Sequence, residues 1–184
     1  MRKDFGSKTY LYPMPVLIIG TYNEAGTANA MNAAWGGISD FDKIAIALSN
    51  HKTTDNLKQT KSFTVSVGTA SMVEACDYVG IVSGNKIPDK VSRAGLHAIK
   101  SKYVNAPIFK ELPLALECEV ISFDEKSEIL TGKIINVSAD EEILTDGNID
   151  VKKLRPITYD PVNHYYIELG SIVGKAFEVG KKFN

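Results

Sequence analysis

The chain has 184 residues, 44% of them hydrophobic, enough to bury one sizeable core, so a single domain spanning 1–184 is expected. Lys and Arg number 21 against 22 Asp and Glu, a balance that offers no large single-sign field to nucleic acid or an acidic membrane surface and points to small molecules as partners. Two cysteines, Cys76 and Cys118, are too few and too far apart for a disulfide framework or a spaced zinc site; with no apolar h-region after Met1 and no apolar run of membrane-spanning length, a cytoplasmic protein is expected.

In chain order, Val16-Leu17-Ile18-Ile19 follows Pro13 and Pro15 as a short β-branched run and predicts a first strand. Residues 27–37 are unusually rich in small side chains for a strand and include the only tryptophan, Trp35. Two readings stay open there. A planar ring could lie close to the backbone, with Asn29 and Asn32 as hydrogen-bonding partners and Met31 and Trp35 as soft walls; or the strand is packed tightly on a helix, with Trp35 as a core anchor. Ile44–Leu48 and Phe63–Val67 predict further strands.

Between those two runs, Ser49-Asn50-His51-Lys52-Thr53-Thr54-Asp55-Asn56-Leu57 closes a strand and opens a short helix over 54–61. The first amides of a helix lack internal partners and carry partial positive charge; Lys52 adds a formal charge, and Thr53 and Thr54 add hydroxyls. Such a junction suits a phosphomonoester. The plainer alternative is an N-cap at Thr53 or Thr54 with Lys52 solvated, and His51 is either a ligand contact or a solvated turn histidine.

A helix over 70–79 would place Met72, Val73, Cys76 and Val79 on one face. Residues 85–90 and 139–148 read as exposed loops. Leu114, Leu116, Cys118 and Val120 alternate with Glu117 and Glu119, and a second long strand over 129–137 completes an antiparallel hairpin. Residues 164–169 form a last strand, with Tyr165 and Tyr166 on opposite faces. Both cysteines read as small core hydrophobes. Strands interrupted by short helices predict a mainly β fold, a closed or nearly closed Greek-key-like barrel.

Neither G-x-G-x-x-G nor G-x-x-x-x-G-K-[ST] is present, so a nucleotide would have to be held outside a Rossmann or P-loop frame. His51, His97 and His164 lie far apart and predict no metal site; no nucleophile is paired with a base at a recognisable spacing, and no catalytic residue is expected.

Asn29-Ala30-Met31 followed by Ser49 and Lys52-Thr53-Thr54 resembles the flavin reductase-like, FMN-binding split-barrel family, its flavoredoxin-like members included. The likeness runs from about Pro13 to Gly174, through Pro15-Val16, Phe63–Val67, Asp77–Gly80 before Ser83-Gly84, Asp89-Lys90 and Tyr166–Gly170. It implies a split β-barrel homodimer with flavin mononucleotide (FMN) at the interface. Residues matching Asn29, Ala30, Met31, Asn32 and Trp35 would lie along the isoalloxazine. Ser49, Asn50, Lys52, Thr53 and Thr54 would hold the ribityl phosphate, with His51 beside it; Ser83, Gly84 and the Asp89-Lys90 pair would approach the flavin of either subunit. Many relatives carry an arginine and an aromatic where this chain has Lys52 and Thr53, and lysine is still a competent phosphate partner.

The implied activity is that of a flavin reductase: NADH or NADPH as transient donor, hydride passing to the flavin across an open face, and a small-molecule or protein acceptor. No acid or base is required. The implied alternative is a flavoredoxin-like electron carrier reduced by a protein partner, and a third reading keeps the barrel without flavin. No Rossmann acidic residue or arginine is available to choose between NADH and NADPH.

Overall fold

A computed structural model describes residues 1–183. Seven strands build the main sheet: β1 (Leu17–Tyr22), β2 (Ala28–Ala33), β3 (Gly36–Asp40), β4 (Lys43–Ala47), β5 (Ser62–Val67), β6 (Leu114–Asp124) and β7 (Ile129–Ala139). Every pairing is antiparallel, in the order β2-β1-β5-β6-β7-β4-β3. The two edge strands, β2 and β3, are therefore consecutive in the chain. Two helices of nine residues, α1 (Lys52–Thr60) and α2 (Val73–Ile81), and a short turn of helix, α3 (Lys90–Arg93), are inserted between strands. A mainly β split barrel with short helices is the architecture anticipated above. No helix among the described residues is long and apolar enough to cross a membrane.

The period of two along β1 assigns its side chains to two cores. Leu17 and Ile19 point into the barrel with Ile44, Ile46, Phe63, Val65, Cys118 and Leu130. Ile18 points outward, under α2, with Ala30, Ala75, Cys76 and Val79. Both cysteines are free and buried, and burial pushes their thiols up, to about 11 for Cys76 and about 12 for Cys118. One buried carboxylate, Glu117, is held by the Asn136 amide at 2.7 Å and by the Ser101 hydroxyl, which itself accepts from the amides of Tyr103 and Val104. This arrangement clamps the 101–106 loop to the sheet.

Several local expectations shift. The small-residue stretch 27–37 is divided between β2 and β3, with Ala34 and Trp35 as the link. The helix expected over 54–61 starts at Lys52, because His51 and not a threonine is its N-cap. The second helix begins as a 3-10 turn at Ala70–Met72 and runs on to Ile81. Residues 139–148 are not a plain loop: Asp146 and Gly147, with φ of 51° and 76°, form the two-residue turn of a small hairpin between Leu144–Thr145 and Asn148–Ile149. The strand expected over 164–169 is shortened to Tyr166–Glu168 because His164 sits in a turn at φ 61°.

Gly132, beside a bulge in β7, lies across the barrel interior from the fully buried Phe63, and a Cβ built there collides with the Phe63 ring. Gly132→Ala is expected to destabilise the fold by about 1–3 kcal/mol through overpacking, read as a lowered urea midpoint with unchanged slope.

Candidate functional site

Where β2 leaves the sheet, its last residues, the exit of β4 and the end of α2 surround a cleft of about 310 Å³. Met31, Asn32 and Trp35 line one side, Ser49 and His51 another, and Asp77, Gly80 and Ile81 of α2 a third, with Tyr159 and Tyr166 at one end. A second hollow of about 190 Å³ shares Met31, Asn32, His51, Gly80 and Ile81 and continues to Asn29, Lys52, Thr53, Ser83, Gly84 and Lys90. Through those shared residues the two adjoin as a trough, apolar at Trp35 and polar at the start of α1.

The α1 end is built by capping. The Thr54 hydroxyl donates to the His51 carbonyl at 2.8 Å and accepts from the His51 amide at 2.9 Å, while the Asp55 amide donates to the same carbonyl at 3.2 Å. His51 Nε2 in turn lies 2.9 Å from the Ser49 hydroxyl. Thr53, only 1% exposed, accepts a 2.8 Å bond from Asn29 Nδ2, which ties the helix start to the edge strand. Both threonine hydroxyls are thus engaged within the protein. The groups this turn presents outward are its first amides and the Lys52 side chain.

At the other end, Trp35 is 49% exposed and its ring centroid lies 6.2 Å from that of Tyr159, itself 6.2 Å from Tyr166. Trp35 is a cleft wall and not a core anchor. Asn32 Nδ2 donates to the Cys76 carbonyl at 3.1 Å and to the Tyr166 hydroxyl at 3.3 Å, and that hydroxyl donates to Asp77 Oδ1 at 2.9 Å. Burial first, and then the Asp77 carboxylate, raise the Tyr166 phenol well above its ordinary value. Tyr166 therefore sits in the cleft as a neutral donor.

Of the residues singled out in the sequence, Asn29, Met31, Asn32, Trp35, Ser49, His51, Lys52, Thr53, Ser83 and Gly84 line the trough. Ala30 is fully buried in the core beneath α2 and lines neither hollow; Thr54 is sealed in the cap; Asn50 is exposed and lines neither hollow. Gly84 is required by close approach, since a Cβ there collides with Asn29 Oδ1. Sequence reasoning assigned no role to Asp77, Gly80, Ile81, Tyr159 and Tyr166. The signal that could have found Tyr166 was present, because strand alternation sends Tyr165 to solvent and Tyr166 inward.

Lys90, only 3% exposed, donates to the carbonyls of Val79 at 2.9 Å and Val82 at 2.7 Å and so closes the C-terminal end of α2 beside the trough. Burial lowers its ammonium from 10.5 to about 8.

A curled antiparallel sheet whose open seam meets a helix start defines the class of split-barrel proteins. The model of the flavin reductase like domain matches residues 9–161, and the chain belongs to that family. Flavoredoxin of Desulfovibrio vulgaris is 34% identical and superposes with a TM-score of 0.94 over 98% of this chain and 100% of that one. Flavoredoxin from Methanosarcina acetivorans is 27% identical, with a TM-score of 0.90 and 100% of both chains covered. An FMN-binding domain of a flavin reductase-like enzyme from Shewanella baltica, 19% identical, shares the fold with a TM-score of 0.79 over 88% of each chain.

The folded chain releases the Lys90 proton near pH 8 and the unfolded chain only near 10.5, so the unfolded state holds more protons across that window and stability conferred at position 90 rises with pH there. Lys90→Met is expected to abolish that slope and to cost roughly 1–3 kcal/mol by leaving two carbonyls unpartnered. Denaturant titrations of both proteins through the window measure both effects.

Proposed function

We propose that the trough holds FMN, the ring system against Trp35, Met31 and Ile81 and the phosphate at the start of α1, and that the protein is a flavin reductase-type oxidoreductase working as a homodimer with the cofactor at its interface. The observation that carries this reading is adjacency: two hollows that share Met31, Asn32, His51, Gly80 and Ile81 reach from an exposed indole to a helix start bearing a lysine. A flat apolar ring joined to a dianionic phosphate needs that pair of ends. The donor set fits the group.

Bound FMN would supply the two-electron chemistry that no side chain here provides. The chain's own part is placement. Lys52 and the first amides of α1 neutralise phosphate charge, the Asn29–Thr53 bond fixes their distance from β2, and Gly84 lets the 83–84 turn approach. Asn32, held by Cys76 and Tyr166, is oriented at the cleft wall, and Tyr166 keeps its proton beside Asp77. The half-exposed Trp35 leaves one end open to NADH or NADPH and then to an acceptor. Exposed Ile38 and Phe41 beside the β3 edge supply apolar surface for a second subunit.

A second reading, an electron carrier reduced by a protein partner, is favoured by the two similar chains named flavoredoxin.

The deciding experiment is the visible spectrum of the desalted protein after FMN loading, then anaerobic addition of NADH and of NADPH. A retained flavin band bleached rapidly and saturably by either nucleotide is expected; a retained band bleached slowly by both transfers the conclusion to the carrier, and no retained flavin overturns both. Lys52→Ala should weaken FMN binding by about 1.5 kcal/mol, roughly tenfold, with folding stability unchanged. Thr54→Ala should instead lower stability by about 1 kcal/mol, because its hydroxyl serves the cap. Fluorescence titration of FMN paired with thermal melts separates the two.

A further inference from the structure

Residues 171–183 form an arm that leaves the body after Leu169, whose amide donates to the Pro156 carbonyl. Among the described residues, every hydrogen bond and ion pair made beyond Ile172 stays within the arm, such as the Val179 amide to the Lys175 carbonyl and Lys175 to Glu178 at 2.7 Å. The arm nevertheless carries Ile172, Val173, Phe177, Val179 and Phe183, all exposed, with Phe177 at 97%. Phe177, at φ 63°, occupies the turn that the Glu178 and Val179 amides close on the Lys175 carbonyl, and this turn holds its ring out to solvent.

Away from the trough, the body holds a groove of about 630 Å³ with apolar walls at Ile99, Ile108 and Leu112 and a rim of Asp140, Glu141 and Glu142. Lys110 is the only cation lining it, and none of the three carboxylates is ion-paired among the described residues. The groove takes no lining residue from the arm of its own chain. The arm is complementary to it: apolar side chains interleaved with lysines, of which Lys181 and Lys182 are left over once Lys175 is paired with Glu178. Its thirteen residues span up to about 43 Å when extended, enough to cross a neighbouring subunit of this size.

We infer that the 171–183 arm is a clasp that docks into the Ile99–Leu112–Glu142 groove of a second copy of this chain. The inference rests on the homodimer proposed above. Apolar side chains supply the burial, and Lys181 and Lys182 meet the acidic rim and fix the register.

Sedimentation equilibrium of the FMN-loaded full-length chain, at low and high salt, tests it. Deleting residues 172–184, or introducing E141K with E142K, should weaken dimerisation at least tenfold at low salt, and K181E with K182E should do the same. Combining the two charge reversals in one chain should restore the dimer. F177C and I108C placed on separately tagged chains should cross-link between tags. A dimer unmoved by truncation, a reversal pair that does not rescue, or a cross-link confined to one chain overturns the clasp while leaving the dimer in place. A wild-type monomer that retains FMN overturns the dimer and the clasp together, and leaves the cofactor assignment standing.

Discussion

Ala34 and Trp35 join the two opposite edges of a seven-stranded sheet, and that connection governs the shape of the molecule. Laid flat, six inter-strand spacings of about 4.8 Å would hold β2 and β3 roughly 29 Å apart. The link from Ala33 to Gly36 reaches about 11 Å at most. The sheet has to curl until its edges meet, and right-handed twist together with register shifts at Thr131/Gly132 and Ile134/Asn136 supplies the bend. Leu17, Ile19, Phe63 and Leu130 fill the enclosed space because alternation sends one face of each strand inward. The seam cannot close fully, since the chain itself occupies it.

A seam is also an edge, and an edge exposes unpaired backbone groups. Here β2 is flanked by helices instead of another strand. Two buried side-chain bonds attach α1 to the sheet, Asn29 to Thr53 at 2.8 Å and Asn56 to Thr21 at 3.0 Å, so the positive end of the helix is held at a fixed height along the edge. With the Thr53 and Thr54 hydroxyls committed inward, a phosphate bound here as proposed would be met by amides and Lys52, groups that impose charge without demanding one orientation. The turn's geometry is set from behind, by Asn29 and the cap, so a lysine and a threonine could serve where an arginine and an aromatic would otherwise be expected.

How much of this was legible in the sequence depends on the range of the interaction. The strands of the barrel and the polar turn at 49–57 were, because β-branched runs, alternation and helix-start chemistry are local signals. The division of 27–37 was not: small residues give no hint of which peptide leaves the sheet, and the break at Ala34–Trp35 follows from closure. The N-cap at His51 was hidden because Ser and Thr are commoner caps, and here the threonine works from the third helical position. The Asp146-Gly147 hairpin was legible in principle and was masked by the acidic composition around it. Asp77 and Tyr166 are 89 residues apart in sequence, and only folding brings them to 2.9 Å.

The arrangement also bears on which donor, a nicotinamide or a protein, would reach a flavin held as proposed. The cleft's polar end is fixed by buried bonds, whereas its apolar end is an indole half open to solvent beside Tyr159. A fixed phosphate end sets where a ring would lie; what reaches the ring is decided at the open end. In the proposed dimer, a subunit that covered the β3 edge and left only Trp35 reachable would narrow access to a small planar donor, whereas one that left the whole edge bare would admit a protein as well. On the proposed function, donor choice would then follow from how much apolar edge the assembly buries, and not from the residues at the start of α1.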